Sequence, residues 1–121
     1  MWRIRLKSVY DKYDISDGLT ILVDRLWPRG VRKSTPNVEI WMADIAPTDE
    51  LRKWYQHDPK KWVRFKQRYL KELRKNDMVE ELVSLIVKTS VTTLVFAAPD
   101  HEHNNASILK EFADKIIKKS K

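Results

Sequence analysis

The chain has 121 residues, 34% of them charged, and its 24 lysines and arginines against 17 acidic residues give a net charge of +7. This length suits one domain, which we expect to be a single α/β domain over residues 1–121. No apolar run reaches the roughly 18 residues of a membrane span, and the N-terminus has no secretion signal. The absence of cysteine excludes disulfides, thiolate nucleophiles and cysteine zinc sites. We therefore expect a cytoplasmic protein that does not associate with membranes and whose charge favours anionic partners.

The strands are predicted from side-chain periodicity. Residues 2–9 alternate between apolar and basic side chains, which indicates a half-buried strand at a sheet edge. Residues 19–23 are nearly all apolar and predict a short strand covered on both faces. Residues 39–47 fit either a strand or a helical turn, and residues 92–98 give the clearest buried strand.

The helices are predicted from capping residues and amphipathic patterns. Thr48 is a typical N-cap, and Asp58 followed by proline predicts the start of a second helix that runs to about residue 76. Asp77 is expected to cap a third helix, and residues 105–119 form a final amphipathic helix.

Strands separated by helices predict an α/β protein with a small, partly parallel sheet of three to four strands flanked by about four helices. In such sheets ligands bind beyond the C-terminal ends of the strands. The segments "DRLWPRG" (24–30) and "PDHEHN" (99–104) each follow an apolar strand. If those strands are parallel neighbours, the two segments lie at one edge of the sheet.

The first of these segments is rich in cations. Arg25, Arg29 and Lys33 fall within nine residues, and arginine is suited to bidentate contacts with phosphate or carboxylate. Trp27 could stack on a ligand. The structural alternative is that Arg25 pairs with Asp24 or with a neighbouring helix and that Trp27 and Pro28 plug the end of the sheet.

The second segment and the end of the first helix supply polar candidates. His103 is a candidate acid or base, with Asp24 as its carboxylate partner. Asn104 or Asn105 is a natural N-cap of the final helix, whose N-terminus attracts anions, and a capped helix with surface histidines is the structural alternative. His57 follows a helix end and could reach the same edge as Asp24. His101 lies two residues from His103, but no third ligand is defined, so we predict neither a metal nor another cofactor.

A basic stripe on the second helix gives an alternative function. Its members, Arg64, Arg68, Lys71 and Lys75, would suit a nucleic-acid backbone, although a solvated helix face also explains them.

Three segments carry a family resemblance. "DGLTILVDRLWPRGVRK", "APTDELRKWYQHDPKKWVRFKQRYLKEL" and "TLVFAAPDHEHNNASIL" resemble, in order, the YeaO-like branch of the domain of unknown function 488 family. The resemblance implies a small α/β protein and assigns no catalytic residues. The positions that match its motifs are Asp24, Arg25, Trp27, Arg29, Lys33, Arg52, Trp54, His57, Asp58, Asp100, His103, Asn104 and Ala106.

The chain departs from the family pattern at two places. Thr20 stands where the family usually has arginine, and Asn105 stands where its His-Asn-His-Ala run has a second histidine. Other branches carry a Cys-His-Arg motif, and a thiol role suggested for them cannot operate in a chain that lacks cysteine.

Together these features predict a cationic pocket at the strand ends that binds a small phosphorylated or nucleotide-like anion, with Asp24 and His103 as catalytic candidates if the ligand is turned over. The nucleic-acid-binding or regulatory module is the alternative. The predicted ligand-binding residues are Arg25, Trp27, Arg29, Lys33, Arg52, His57 and Asn104. The sequence defines neither the reaction nor the oligomeric state.

Overall fold

The computed structural model describes residues 1–119. The strands are β1 (Arg3–Ser8), β2 (Leu19–Leu22), β3 (Ile40–Trp41) and β4 (Val91–Phe96). The helices are α1 (Asp49–Tyr55), α2 (Trp62–Arg74), α3 (Met78–Lys88) and α4 (Asn105–Lys119), and short 3₁₀ helices cover Ile15–Asp17, Ala43–Ile45 and Pro59–Lys61.

The four strands form one sheet in the order β1-β4-β2-β3, and every neighbouring pair is parallel. The α/β fold class is therefore confirmed, and the sheet is more parallel than expected. β1 is an edge strand, as its alternating pattern predicted. β2 and β4 are central neighbours, with Leu19 opposite Thr92 and Leu22 opposite Val95. Their C-terminal ends consequently lie side by side.

The two faces of the sheet are covered differently. Ile21 and Leu94 pack into the main core, together with buried side chains from all four helices. Leu22 and Val95 point into a smaller cluster covered by Trp27 and by other apolar residues of the segment that links β2 to β3. Since the 17 residues between β2 and β3 contain no helix, this loop shields the second face.

Most helix starts follow the predicted caps. Thr48 Oγ1 accepts a hydrogen bond from Leu51 N–H at 3.2 Å, and Asp58 accepts one from Lys60 N–H at 3.0 Å before α2 begins. The predicted N-cap of α3 was wrong. The Asp77 side chain makes no capping hydrogen bond, and Asn76 Oδ1 instead accepts from Met78 N–H at 2.8 Å. Asn76 also donates to the carbonyl of Asp44, so it orients the start of α3 against the preceding loop.

Residues 39–47 form both a short strand and a helical turn, the two structures that their sequence allowed. A two-residue strand pairs with β2, and a 3₁₀ turn follows it directly. Within residues 1–119, the helices are too short or too polar to cross a membrane.

Two glycines adopt positive φ for different reasons. Gly18 (φ +67) lies against β4, where an added Cβ would be 2.1 Å from the carbonyl oxygen of Val91. Gly30 (φ +77) has open space at the same position. Gly18 is therefore required both by its positive φ and by the close approach of the Val91 carbonyl, whereas Gly30 is required by its positive φ alone.

Replacing each of the two glycines by alanine is expected to lower stability by a different amount. Gly18→Ala should lower the free energy of unfolding by about 3 kcal/mol or more, because strain and a backbone clash add. Gly30→Ala should lower it by about 1–2 kcal/mol, from conformation alone. Urea unfolding measures both. Equal losses for the two variants would contradict the close packing of residue 18 against β4.

Candidate functional site

Two loops that leave the ends of β2 and β4 border one cavity of about 260 Å³, called here the first cavity. Residues 24–28 and 97–99 form two of its walls. The other lining residues come from the start and end of α1, from α2 and from the start of α4, and they are Ala46, Pro47, Arg52, Tyr55, His57, Phe65, Asn104 and Asn105. The walls are mainly apolar and aromatic with a few polar groups, which is the usual composition of a small-ligand pocket.

Asp24 lies between the strand ends and α4. Its Oδ2 accepts a hydrogen bond from Ala97 N–H at 2.9 Å, and its Oδ1 accepts one from Asn105 Nδ2 at 3.1 Å. Burial raises the pKa of the Asp24 carboxyl, and these two hydrogen bonds and the charge of His57 offset only part of that effect. The carboxyl is thus held rigidly at the cavity wall.

Arg25 holds backbone as well as lining the cavity. Its Nε donates to the carbonyl of Pro47 at 2.9 Å and its Nη2 donates to that of Ala46 at 3.1 Å. Its Nη1 lies 3.8 Å from the exposed carboxylate of Asp44. This arginine therefore fixes the segment before α1. Of the two partners that the structural alternative allowed it, Asp24 instead accepts hydrogen bonds from the residue after β4 and from the first residue of α4.

Two exposed side chains, Arg52 in α1 and His57 just after it, line the cavity from this side. Arg52 lies one helical turn before Tyr55, and its Nη2 is 3.2 Å from Asp49. Gln56 and His57 both have positive φ, +47 and +56. Such backbone is uncommon outside glycine and costs about 1–2 kcal/mol per residue. This strained turn ends α1 and places His57 beside the cavity.

The remaining cations of the first loop are placed elsewhere. Trp27 lines the cavity and its Nε1 donates to the carbonyl of Val31 at 2.8 Å. Lys33 Nζ lies 4.2 Å from the Trp27 ring centroid and 4.9 Å from that of Trp41, on which it makes cation–π contacts. Neither Lys33 nor the exposed Arg29 is a lining residue. The structure thus brings only Arg25 of the predicted trio to the cavity.

His103 lies at a neighbouring cavity of about 290 Å³, called here the second cavity, which is also lined by Trp62 and Asp100. Its Nδ1 is 3.2 Å from Asp100 Oδ2. Asn104 is buried and caps α4, because its Oδ1 accepts from Ser107 N–H at 2.9 Å. The predicted catalytic candidates Asp24 and His103 therefore line different cavities, and the imidazole whose charge acts on Asp24 is that of His57.

Sequence reasoning missed several residues of the site. Tyr55 lines both cavities and stacks on Phe65 with ring centroids 4.1 Å apart. Its spacing of three residues from Arg52 on a predicted helix could have revealed it. Asn105 was considered as a cap, but its bond to Asp24 joins positions 81 residues apart, which no local pattern shows.

The basic stripe of α2 is exposed at Arg64, Arg68, Lys71 and Lys75. The guanidinium of Arg68 lies 4.2 Å from the centre of the Trp54 ring, so part of the stripe packs on the protein itself. The nucleic-acid function stays a prediction.

Comparisons with known proteins agree with the motif resemblance. A family model described as the inactive DUF488-N3 subclade matches residues 3–121. The chain belongs to this family. Similar proteins include the uncharacterized protein Rv3073c of Mycobacterium tuberculosis (strain ATCC 25618 / H37Rv), 40% identical over 109 residues that cover 90% of this chain and 92% of the relative. The uncharacterized protein YeaO of Escherichia coli (strain K12) is 36% identical over 109 residues, 90% of this chain and 95% of the relative. No solved structure matches the chain.

The backbone contacts of Arg25 predict a stability effect. Arg25→Ala should lower the free energy of unfolding by about 2–3 kcal/mol, because the buried carbonyls of Ala46 and Pro47 lose charged donors. Arg29→Ala is the matched control: its side chain is exposed and makes no hydrogen bond or ion pair with the described residues, so a change within about 0.5 kcal/mol is expected. Urea titration distinguishes them, and similar losses would show that Arg25 does not hold this segment.

The raised pKa of Asp24 predicts a pH dependence. The folded protein binds a proton at this carboxyl more tightly than the unfolded chain does, so its ionisation costs stability as pH rises above about 4 and through the raised pKa. The free energy of unfolding of the wild type should therefore fall relative to that of Asp24→Asn between about pH 4 and pH 7. Urea unfolding at several pH values measures the difference, and Asp77→Asn controls for loss of one negative charge. A difference that rises over this range would contradict the effect of burial.

Proposed function

We propose that the first cavity binds a small phosphorylated or nucleotide-like anion and that the protein binds this ligand without chemical turnover. The observation that carries the proposal is the convergence of Arg52, His57 and the N-terminus of α4 around one mainly apolar cavity at the strand ends. A helix N-terminus, a guanidinium and an imidazole that can donate a hydrogen bond favour an anion. The apolar walls favour an attached organic group over a free inorganic ion.

Two findings support binding rather than catalysis. His103, the acid or base considered from the sequence, lines the second cavity and contacts Asp100. The matching family model is described as an inactive subclade. A cytoplasmic location is part of the same proposal, because a chain without cysteine has no disulfide that would require an oxidising compartment.

The test is a thermal shift and calorimetric titration with inorganic phosphate, ribose 5-phosphate and nucleoside monophosphates. Wild-type protein should be stabilised by at least one organic phosphate, and Arg52→Ala should weaken that binding by about tenfold or more, the loss expected for one charged hydrogen bond. Lys53→Ala is the matched control, because Lys53 is the adjacent exposed cation of α1 and does not line the cavity.

Unchanged melting temperatures across the panel would contradict the proposal, as would binding that is equally strong in Arg52→Ala. A single-stranded and a duplex oligonucleotide belong in the same panel. Steeply salt-dependent binding to them that is lost with Arg68→Glu and Lys71→Glu, but not with Arg52→Ala, would favour the α2 face as the functional surface instead.

A further inference from the structure

The second cavity shares a wall with the first. Tyr55, His57 and Pro99 line both cavities, while Trp62, Asp100 and His103 line only the second. One ligand can therefore occupy both spaces if it has two chemically different parts. What each part must be follows from the groups that line each space.

The second cavity is surrounded by aromatic rings. The rings of Trp62 and His103 meet edge to face with centroids 5.1 Å apart. Tyr55 lies 6.2 Å from Trp62 and 6.0 Å from His57, measured between ring centroids. Because the rings of Trp62 and His103 touch edge to face, a flat heterocycle cannot lie between them, but it can stack on the face of a single ring that lines the cavity, and a phosphate gains little from such a face.

The polar group of the second cavity is a carboxylate. Asp100 Oδ1 accepts hydrogen bonds from the backbone N–H groups of Glu102 and His103, each at 2.9 Å. These bonds hold the pKa of Asp100 below its ordinary value, so the group is ionised at neutral pH. An ionised carboxylate repels a phosphate and attracts an amino group. The first cavity has Arg25 and Arg52 in its lining beside Asp24, whereas among the described residues the lining of the second cavity has no arginine or lysine to offset Asp100. A phosphate is therefore disfavoured in the second cavity, and a base whose amino group donates a hydrogen bond is favoured.

The wall between the cavities contains the strained residue of the site. His57 lines both spaces and has positive φ, as does Gln56 before it. Backbone strain of this kind is retained where the surrounding structure requires it, and it is concentrated at ligand sites. At this position the imidazole can contact a phosphate on one side and the attached nucleoside on the other.

We propose that the ligand is a nucleotide with an amino-bearing base, which stacks against Trp62, beside His103, in the second cavity while the phosphate lies in the first cavity near Arg52 and His57. This inference rests on the proposed function, because it takes anion binding by the first cavity as given. It adds a base-binding site and an orientation for the ligand.

The direct test compares adenosine 5′-monophosphate, adenosine and ribose 5-phosphate by calorimetry and by NMR of the tryptophan indole N–H signals, assigned with single Trp→Phe variants. Trp27 lines the first cavity and Trp62 lines the second. The monophosphate should bind about tenfold more tightly than ribose 5-phosphate, the gain expected for one stacked base. It should shift the signals of both tryptophans, whereas ribose 5-phosphate should shift that of Trp27 alone.

A pair of histidine variants isolates the second cavity. His103→Ala removes an exposed ring from its lining and should weaken binding of adenosine 5′-monophosphate by about threefold to tenfold, with no change for ribose 5-phosphate. His101→Ala is the matched control. It lies in the same loop and is also exposed, and its ring contacts Phe96 at 5.7 Å without lining either cavity.

The outcomes separate the two proposals. Equal affinity for the monophosphate and for ribose 5-phosphate, with a shift of Trp27 only, would overturn the base site and leave anion binding intact. No binding of either phosphate would overturn both proposals. Adenosine binding that shifts Trp62 without any contribution from the phosphate would overturn anion binding and the bipartite ligand with it.

Discussion

The carboxylate of Asp24 connects the three elements on which the site depends. It follows β2 and accepts hydrogen bonds from Ala97, which follows β4, and from Asn105, the first residue of α4. The same Asn105 amide donates to the carbonyl of Val23 at 2.9 Å. Burying a carboxylate is costly unless it is hydrogen-bonded, so these contacts must be kept for the charged form to be tolerated. They keep the strand ends and the helix in one arrangement, and that arrangement is the inner wall of the first cavity.

Arg25, the residue after Asp24, fixes the opposite wall of the first cavity. Arg25 binds the carbonyls of Ala46 and Pro47, which lie immediately before α1. Asp24 and Arg25, which follow a buried strand, therefore both have structural roles. Asp24 fixes the chain to α4, and Arg25 fixes it to the segment before α1. The side chains left to meet the proposed anion are Arg52 of α1 and His57 of the turn that ends it. The loop after β2 shapes the cavity more than it supplies its charge.

The sequence predicted the elements better than it predicted the contacts between them. Alternation in residues 2–9 and the apolar run 92–98 located two strands, and α4 has the predicted bounds, because burial imposes a regular period. Of the expected cation cluster only Arg25 lines the cavity. Lys33 lies over the rings of Trp27 and Trp41, and the pairing of β3 with β2 brings Trp41 there. Such a contact depends on tertiary structure and leaves no local signal. The positive φ of His57 could not be predicted from the sequence either, because glycine is the usual indicator of that conformation.

A purely structural role accounts for Asp24 and Arg25 but not for the end of α1. Helices commonly end in a left-handed residue, and glycine adopts it at little cost. Here two successive residues with side chains, Gln56 and His57, adopt that conformation, and the second of them lines both cavities. If stability alone were selected, glycine at these positions would remove the strain. Backbone strain of this kind is concentrated at ligand sites, so a strained imidazole that lines both cavities supports the proposed binding role of this wall.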